Sequence, residues 1–147
     1  LGALRIEKGH VAGPELDGRT SLADLGLSRM GSTKKPFIGS ALMRREGLRD
    51  TGRAQLVGLE PANGNGKLRA GAILCETGDH KGHGVGFVSS VTYSPELKKH
   101  IGLGLVGGGM KRQGEVIDAV FPMRDEVIGV RIRSPHFVDP EGKRMNA

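Results

Sequence analysis

Tryptophan is missing from this sequence, tyrosine and cysteine occur once each, and four phenylalanines complete an aromatic content of 3%. A chain so poor in rings builds its core from Val, Ile and Leu, and it offers few surfaces on which bases could stack. Basic residues exceed acidic ones by six, yet they are dispersed with acids among them. That pattern argues against nucleic acid as a partner and suits a polyanionic small ligand or an acidic partner subunit. The lone Cys75 excludes an intramolecular disulfide and reads as a small buried apolar residue of a reducing compartment. No apolar run approaches the roughly 20 residues of a membrane span, and the first residues lack the basic start and apolar stretch of a signal peptide. The expectation is a soluble, cytoplasmic protein without membrane contact.

Signals for chemistry within the chain are also sparse. No serine sits in a Gly-x-Ser-x-Gly elbow, and no Cys-His pair carries a nucleophilic signature. Cys75, His80 and His83 lie close in sequence beside Asp79, but the four ligands of a structural zinc are not completed, and a polar loop between two strands accounts for them. Gly102-x-Gly104-x-x-Gly107 has the spacing of a dinucleotide fingerprint without its context. That motif turns a strand into a helix whose N-terminus meets pyrophosphate, whereas here the glycines lie within a strand pattern and Gly108, Gly109 and Gly114 spoil any following helix. No metal site and no catalytic residue are expected in this chain.

What the chain has in quantity is glycine, 25 residues, with seven prolines. Such punctuation favours short strands joined by turns. The pattern changes near Asp50-Thr51-Gly52-Arg53, which marks a boundary between residues 1–50 and 53–147. Before it come short helical signals. Leu1 and Leu4 lie one turn apart ahead of Gly9, Ser21 with Asp24 resembles a capping box, and Phe37, Ile38, Ala41 and Leu42 share one face of a helix ended by Gly47. These pieces are too small to enclose a core and must pack on something. After the boundary, period-two segments predict strands over 55–59, 68–75, 84–93, 100–106, 115–121 and 126–134. Six such strands suggest an autonomous small closed barrel. Val57, Leu59, Ile73, Val88, Val91, Ile101, Leu103, Leu105, Val116, Ile128, Val130 and Ile132 are expected to face inward.

Several ordered motifs carry a resemblance. They are Arg5-Ile6-Glu7-Lys8-Gly9 leading into Pro14-Glu15-Leu16-Asp17, then Lys35-Pro36-Phe37-Ile38-Gly39, Gln55-Leu56-Val57-Gly58-Leu59, Ser94-Pro95-Glu96-Leu97 and Phe137-Val138-Asp139-Pro140-Glu141-Gly142. Together they resemble the folate-binding aminomethyltransferases, the glycine cleavage T-protein family, and more closely the C-terminal region of the alpha subunit of heterotetrameric sarcosine oxidase. The resemblance implies a mainly β fold with short helices, of α+β type. Residues 1–50 would end a folate-binding domain and residues 53–147 would form a six-stranded antiparallel Greek-key barrel.

The resemblance also implies the chemistry. Sarcosine would be oxidised at a flavin on another subunit, and the one-carbon unit would pass to tetrahydrofolate. FAD, FMN and NAD would lie elsewhere in the parent complex, with the other sarcosine oxidase subunits as partners. The family's catalytic aspartate would precede this chain, which would therefore be a fragment without turnover of its own. Glu7 falls at the family's pterin-contacting glutamate, where one carboxylate accepts two adjacent N–H groups; sequence alone would make it a solvated helix-end acid. Lys34 and Lys35 stand where the family often has an arginine, and could meet the folate's glutamate tail or simply be exposed loop cations. Asp17 before Gly18 reads as a turn residue. An aminomethyltransferase, or a noncatalytic barrel that docks to a partner subunit, are the alternative functions. A tRNA-modifying folate protein is disfavoured by the absence of a Lys-Gly-Cys-Tyr-type segment.

Overall fold

Six strands close on themselves after Arg53. In the computed structural model, which describes residues 1–32 and 34–145, they are β1 (Ala54–Pro61), β2 (Ile73–Cys75), β3 (Gly86–Ser94), β4 (Lys99–Gly107), β5 (Val116–Phe121) and β6 (Glu126–Arg133). Every pairing is antiparallel, and the order around the barrel is β1-β4-β3-β2-β5-β6, with β6 returning to β1. This Greek-key closure leaves no edge strand. The second strand is shorter than its apolar pattern predicts. A turn at Ala70 and Gly71 interrupts pairing, although Leu68 and Ala72 still enter the core.

The barrel interior is filled by Val57, Leu59, Leu74, Val88, Val106, Ile117, Ala119, Val130 and Ile132. Val91 and Ile128 pack against them from partly buried positions. Two expected core residues lie outside: Ile73 is 42% and Val116 39% exposed, because their neighbours Leu74 and Ile117 take the inward positions. A larger correction concerns β4. Ile101, Leu103 and Leu105 are fully buried, but in a second cluster on the outer face of the barrel. The inward positions of β4 are Gly102, Gly104 and Val106. A Cβ on Gly104 would stand 2.7 Å from Leu59 Cδ1 and 2.9 Å from the Phe87 carbonyl. The interior has no room there for a side chain, so the aliphatic residues of β4 serve the other face.

That outer cluster is covered by the first part of the chain. Helix α1 (Gly2–Lys8) supplies Ile6, and the turn after the capping box supplies Leu25, with Leu56 and Phe137 completing the layer. The capping box is reciprocal: Ser21 N donates to Asp24 Oδ2 at 2.9 Å, and Asp24 N donates to Ser21 Oγ at 3.2 Å. The expected helix around Phe37 does not form. Residues 37–40 make a turn, with Ser40 N donating to the Phe37 carbonyl at 3.0 Å. Only a 3-10 turn (Leu42–Arg44) and the four-residue α2 (Glu46–Arg49) follow. Phe37, Ile38 and Leu42 are exposed. With no surface to bury its apolar stripe, so short a helix is not stable. Among the described residues no helix is long and apolar enough to cross a membrane.

Candidate functional site

Helix α1 ends where Gly9 enters the left-handed region at φ 74°, and its last turn presents Glu7 beside Ile6. Ile6 docks in the outer apolar cluster, which draws the adjoining Glu7 down to 5% exposure. Three separate segments meet around it. Ser94, the last residue of β3 and itself 0% exposed, donates from Oγ to Glu7 Oε1 at 2.5 Å. The Leu97 N–H donates to the same Ser94 Oγ at 3.0 Å. After β6 the chain returns, and the Phe137 and Val138 N–H groups both donate to the Glu7 carbonyl, at 2.8 and 2.9 Å. His136 Nδ1 lies 2.8 Å from the Lys8 carbonyl, an acceptor, so this nitrogen carries the hydrogen. Lys8 Nζ reaches the Asp139 carbonyl and pairs with its carboxylate at 3.5 Å.

Glu7 opens on a cleft of about 270 Å³ lined by Leu4, Glu7, Lys8, Glu96, Val138, Asp139 and Arg144. Arg144 meets Glu96 across the rim at 3.0 Å. Glu7 Oε2 has no partner among the described residues. A carboxylate with one oxygen held and the other unpaired accepts hydrogen bonds and donates none. The arrangement therefore suits a ligand edge carrying N–H groups above an apolar wall of Leu4 and Val138.

Beneath the same helix lies a second buried carboxylate, Glu15, at 0% exposure. Ser89 and Ser90 both donate to its Oε1 at 2.6 Å, and Ala12 N donates to Oε2 at 2.8 Å. Arg5 spans the group, with Nη1 3.3 Å from Glu15 Oε2 and Nη2 2.7 Å from Ser90 Oγ. Burial by itself would push the Glu15 carboxyl up. The serine hydroxyls, the Ala12 N–H and the Arg5 charge outweigh it and hold the group below its ordinary range. Two neighbouring serines can face one carboxylate because β3 bulges between Val88 and Ser90. This network docks α1 on β3.

The remaining candidates are dispersed. Lys34 and Lys35 are exposed, their N–H groups donate to Ser32 Oγ at 3.2 and 2.9 Å, and neither lines the Glu7 cleft. Asp17 forms a turn in which Arg19 N donates to its Oδ1 at 2.8 Å. His80 Nε2 pairs with Asp118 Oδ2 at 2.7 Å, and burial with nearby carboxylates pushes the Cys75 thiol up. No group of three or more metal-ligating side chains occurs among the described residues. Sequence reasoning missed Ser94, Lys8, Glu96 and Arg144. The first three sit within motifs that carried the family resemblance, which was the available signal, whereas no motif marked Arg144.

Comparison with known proteins fits this geometry. Residues 55–139 match the glycine cleavage T-protein C-terminal barrel domain. The chain belongs to that family. Similar proteins include the sarcosine oxidase subunit alpha of Rhizobium meliloti (strain 1021), 38% identical over 99% of this chain, and that of Corynebacterium sp. (strain U-96), 32% identical over 99%. An aminomethyltransferase of Geobacillus kaustophilus (strain HTA426) is 36% identical over 72% of this chain and 28% of its own length. Among solved structures, the glycine cleavage system aminomethyltransferase T of Bartonella henselae superposes with a TM-score of 0.77 at 25% identity, covering 93% of this chain and 37% of that one. The chain spans 15% of the length of the two sarcosine oxidase subunits. The barrel family, the six-stranded fold and the likeness to two kinds of enzyme are thereby fixed.

Proposed function

We propose that this chain is the C-terminal part of a sarcosine oxidase alpha subunit and supplies one wall of a site for tetrahydrofolate, the acceptor of the one-carbon unit. The observation that supports this most is the Glu7 carboxylate, buried, braced by Ser94 through one oxygen and belonging to a residue that lines a cleft. A pterin edge presents adjacent N–H donors, which a carboxylate can accept together. The residues fit such a group. The cleft is smaller than the roughly 300–1,000 Å³ of a complete small-molecule site, in keeping with a site shared with protein outside this chain. Tetrahydrofolate would supply the nucleophilic amines that take up the one-carbon unit, while Glu7 binds and orients the ring. Identity of 38% over 99% of the chain to the Rhizobium oxidase subunit, against 36% over 72% and 31% over 92% to two aminomethyltransferases, supports the oxidase reading over a glycine cleavage role. In that reading residues 1–50 close a folate-binding domain, Lys34 and Lys35 approach the glutamate tail, the flavins and NAD lie elsewhere in the complex, and the other subunits are the partners.

The test is Glu7→Gln in the full-length subunit assembled with its partners. An amide offers one acceptor oxygen and turns an NH2 donor toward the ligand's donors. Tetrahydrofolate affinity measured by calorimetry should fall about 10-fold or more, since a hydrogen bond to a charged group contributes about 1.5–3 kcal/mol. Oxygen uptake with sarcosine should be unchanged, because oxidation proceeds at a separate flavin. Unaltered folate affinity in a folded variant would remove Glu7 from the site.

A further inference from the structure

We propose that Ser94 is a positioning residue whose hydroxyl sets the orientation of the Glu7 carboxylate, leaving Oε2 turned to the cleft as the acceptor for ligand N–H groups. The inference rests on the reading of that cleft as part of a folate site, and it names a residue acting through Glu7 without touching the ligand.

Register supplies the first argument. Val88 faces the barrel interior, and strict alternation from it would carry Ser90, Thr92 and Ser94 inward as well. The bulge between Val88 and Ser90 inserts one residue and reverses the alternation. Val91 then packs with the interior, Ser90 reaches Glu15 on the outer face, and Ser94 arrives on that same face beneath α1. Pro95 follows, lacking an N–H, and the chain turns through the left-handed Lys98 into β4. One irregularity in β3 thus delivers both the serine pair that docks α1 and the hydroxyl that meets Glu7.

Hydrogen-bond direction supplies the second argument. The Leu97 N–H donates to Ser94 Oγ, so that lone pair is occupied and the hydroxyl proton is free to point at Glu7 Oε1. A separation of 2.5 Å is that of a charge-assisted O–H···O⁻ bond. The backbone of Glu7 is already tied by the Phe137 and Val138 N–H groups, and α1 is docked through Glu15 and Ile6. Ser94 is therefore not needed to hold the helix. What its hydroxyl adds is the rotation of one carboxylate about its terminal bond, a torsion that is otherwise broad.

The experiment compares Ser94→Ala, Ser94→Thr, Glu7→Gln and the Ser94→Ala/Glu7→Gln double variant in the full-length subunit, with tetrahydrofolate as the probe in calorimetry and thermal melting as a control. Ser94→Ala should weaken binding about 10-fold while melting close to the parent, and Ser94→Thr, which keeps the hydroxyl, should bind more tightly than Ser94→Ala. The double variant should bind no worse than Glu7→Gln, since Ser94 acts only through that carboxylate. Parent-like affinity in Ser94→Ala, with Glu7→Gln still weakened, overturns the positioning role and leaves the folate reading standing. Additive losses, or Ser94→Thr binding as poorly as Ser94→Ala despite a parent-like melt, also overturn it. Parent-like affinity in Glu7→Gln removes the folate reading and the proposal with it.

Discussion

Arg53 closes its guanidinium on Asp24, with Nη2 2.8 Å from Oδ2 and Nε 3.2 Å from each carboxylate oxygen. The same Nη2 donates to the Arg19 carbonyl at 2.7 Å, and the Asp24 carbonyl accepts from Leu56 N in β1 at 2.7 Å. The residue at the expected boundary between two halves is thus one of those that fasten them together.

Arg53→Ala leaves the buried Asp24 carboxylate with only the Ser21 contacts. Removing one partner of a fully buried pair costs about 3–5 kcal/mol, and because the Arg53 side chain is still partly exposed the expected loss is nearer 2 kcal/mol. Urea unfolding measures it. A midpoint within error of the parent would show that the ion pair is not what holds the capping-box turn to β1.

Acid should loosen the same layer. Burial pushes Glu15, Asp24 and Glu60 up, yet hydrogen bonds and nearby cations outweigh it and hold all three carboxyls below their ordinary values; Glu60, for instance, accepts from Lys99 and Arg133 at 2.5 and 2.8 Å. A lowered folded-state value means that the native form favours the charged carboxylate. The resulting stability is complete above the unfolded-state range of about 4 and is lost as pH falls through it toward the folded-state values. Melting temperature should therefore be flat near neutrality and decline below about pH 4.5. Glu15→Gln, less stable at neutral pH, should show the shallower acid decline. An equal acid slope in that variant would mean that Glu15 does not contribute to it.

Much of this was legible in the residues. Period-two segments separated by Gly-rich turns gave six strands, five of them at nearly their observed limits and the second longer than the observed Ile73–Cys75, because alternation is written directly in sequence. Which face of a strand looks inward is not. Ile101, Leu103 and Leu105 are equally apolar whether they fill a barrel or lie under α1, and only the three-dimensional fit of Gly102 and Gly104 against Leu59, Leu68 and Leu74 decides. The site behaved similarly. Glu7 could be singled out by its motif; Ser94 stands in a motif too, but its place beside Glu7 depends on a one-residue bulge whose effect on register appears when strands are paired.

Removing residues 1–52 tests the covering layer. Leu56, Ile101, Leu103, Leu105 and Phe137 would lose the apolar contacts made by Ile6 and Leu25. Full burial of each such side chain contributes about 1.5–3 kcal/mol, against a net domain stability of about 5–15 kcal/mol. A chain beginning at Arg53 should therefore aggregate or melt without cooperativity, and size-exclusion chromatography with calorimetry would show it. A monomeric truncation with a sharp transition would mean that the barrel is self-sufficient after all.

The two faces of β4 should answer to opposite kinds of change. On the outer face Leu103 is fully buried, so Leu103→Ala removes side-chain volume from a packed layer and should cost about 2–5 kcal/mol through lost burial and the cavity left behind. On the inner face Gly104→Ala adds a single methyl where Leu59 Cδ1 would lie 2.7 Å away and the Phe87 carbonyl 2.9 Å. The leucine tip can move, but the carbonyl belongs to the β3 ladder. Overpacking of about 1–3 kcal/mol is expected from this smallest of substitutions. If β4 were oriented with its leucines inside, Gly104 would face the covering layer and tolerate alanine easily. Denaturant midpoints of the two variants distinguish the orientations: a neutral Gly104→Ala beside a costly Leu103→Ala would contradict the glycine-inward register on which the assignment of both hydrophobic layers depends.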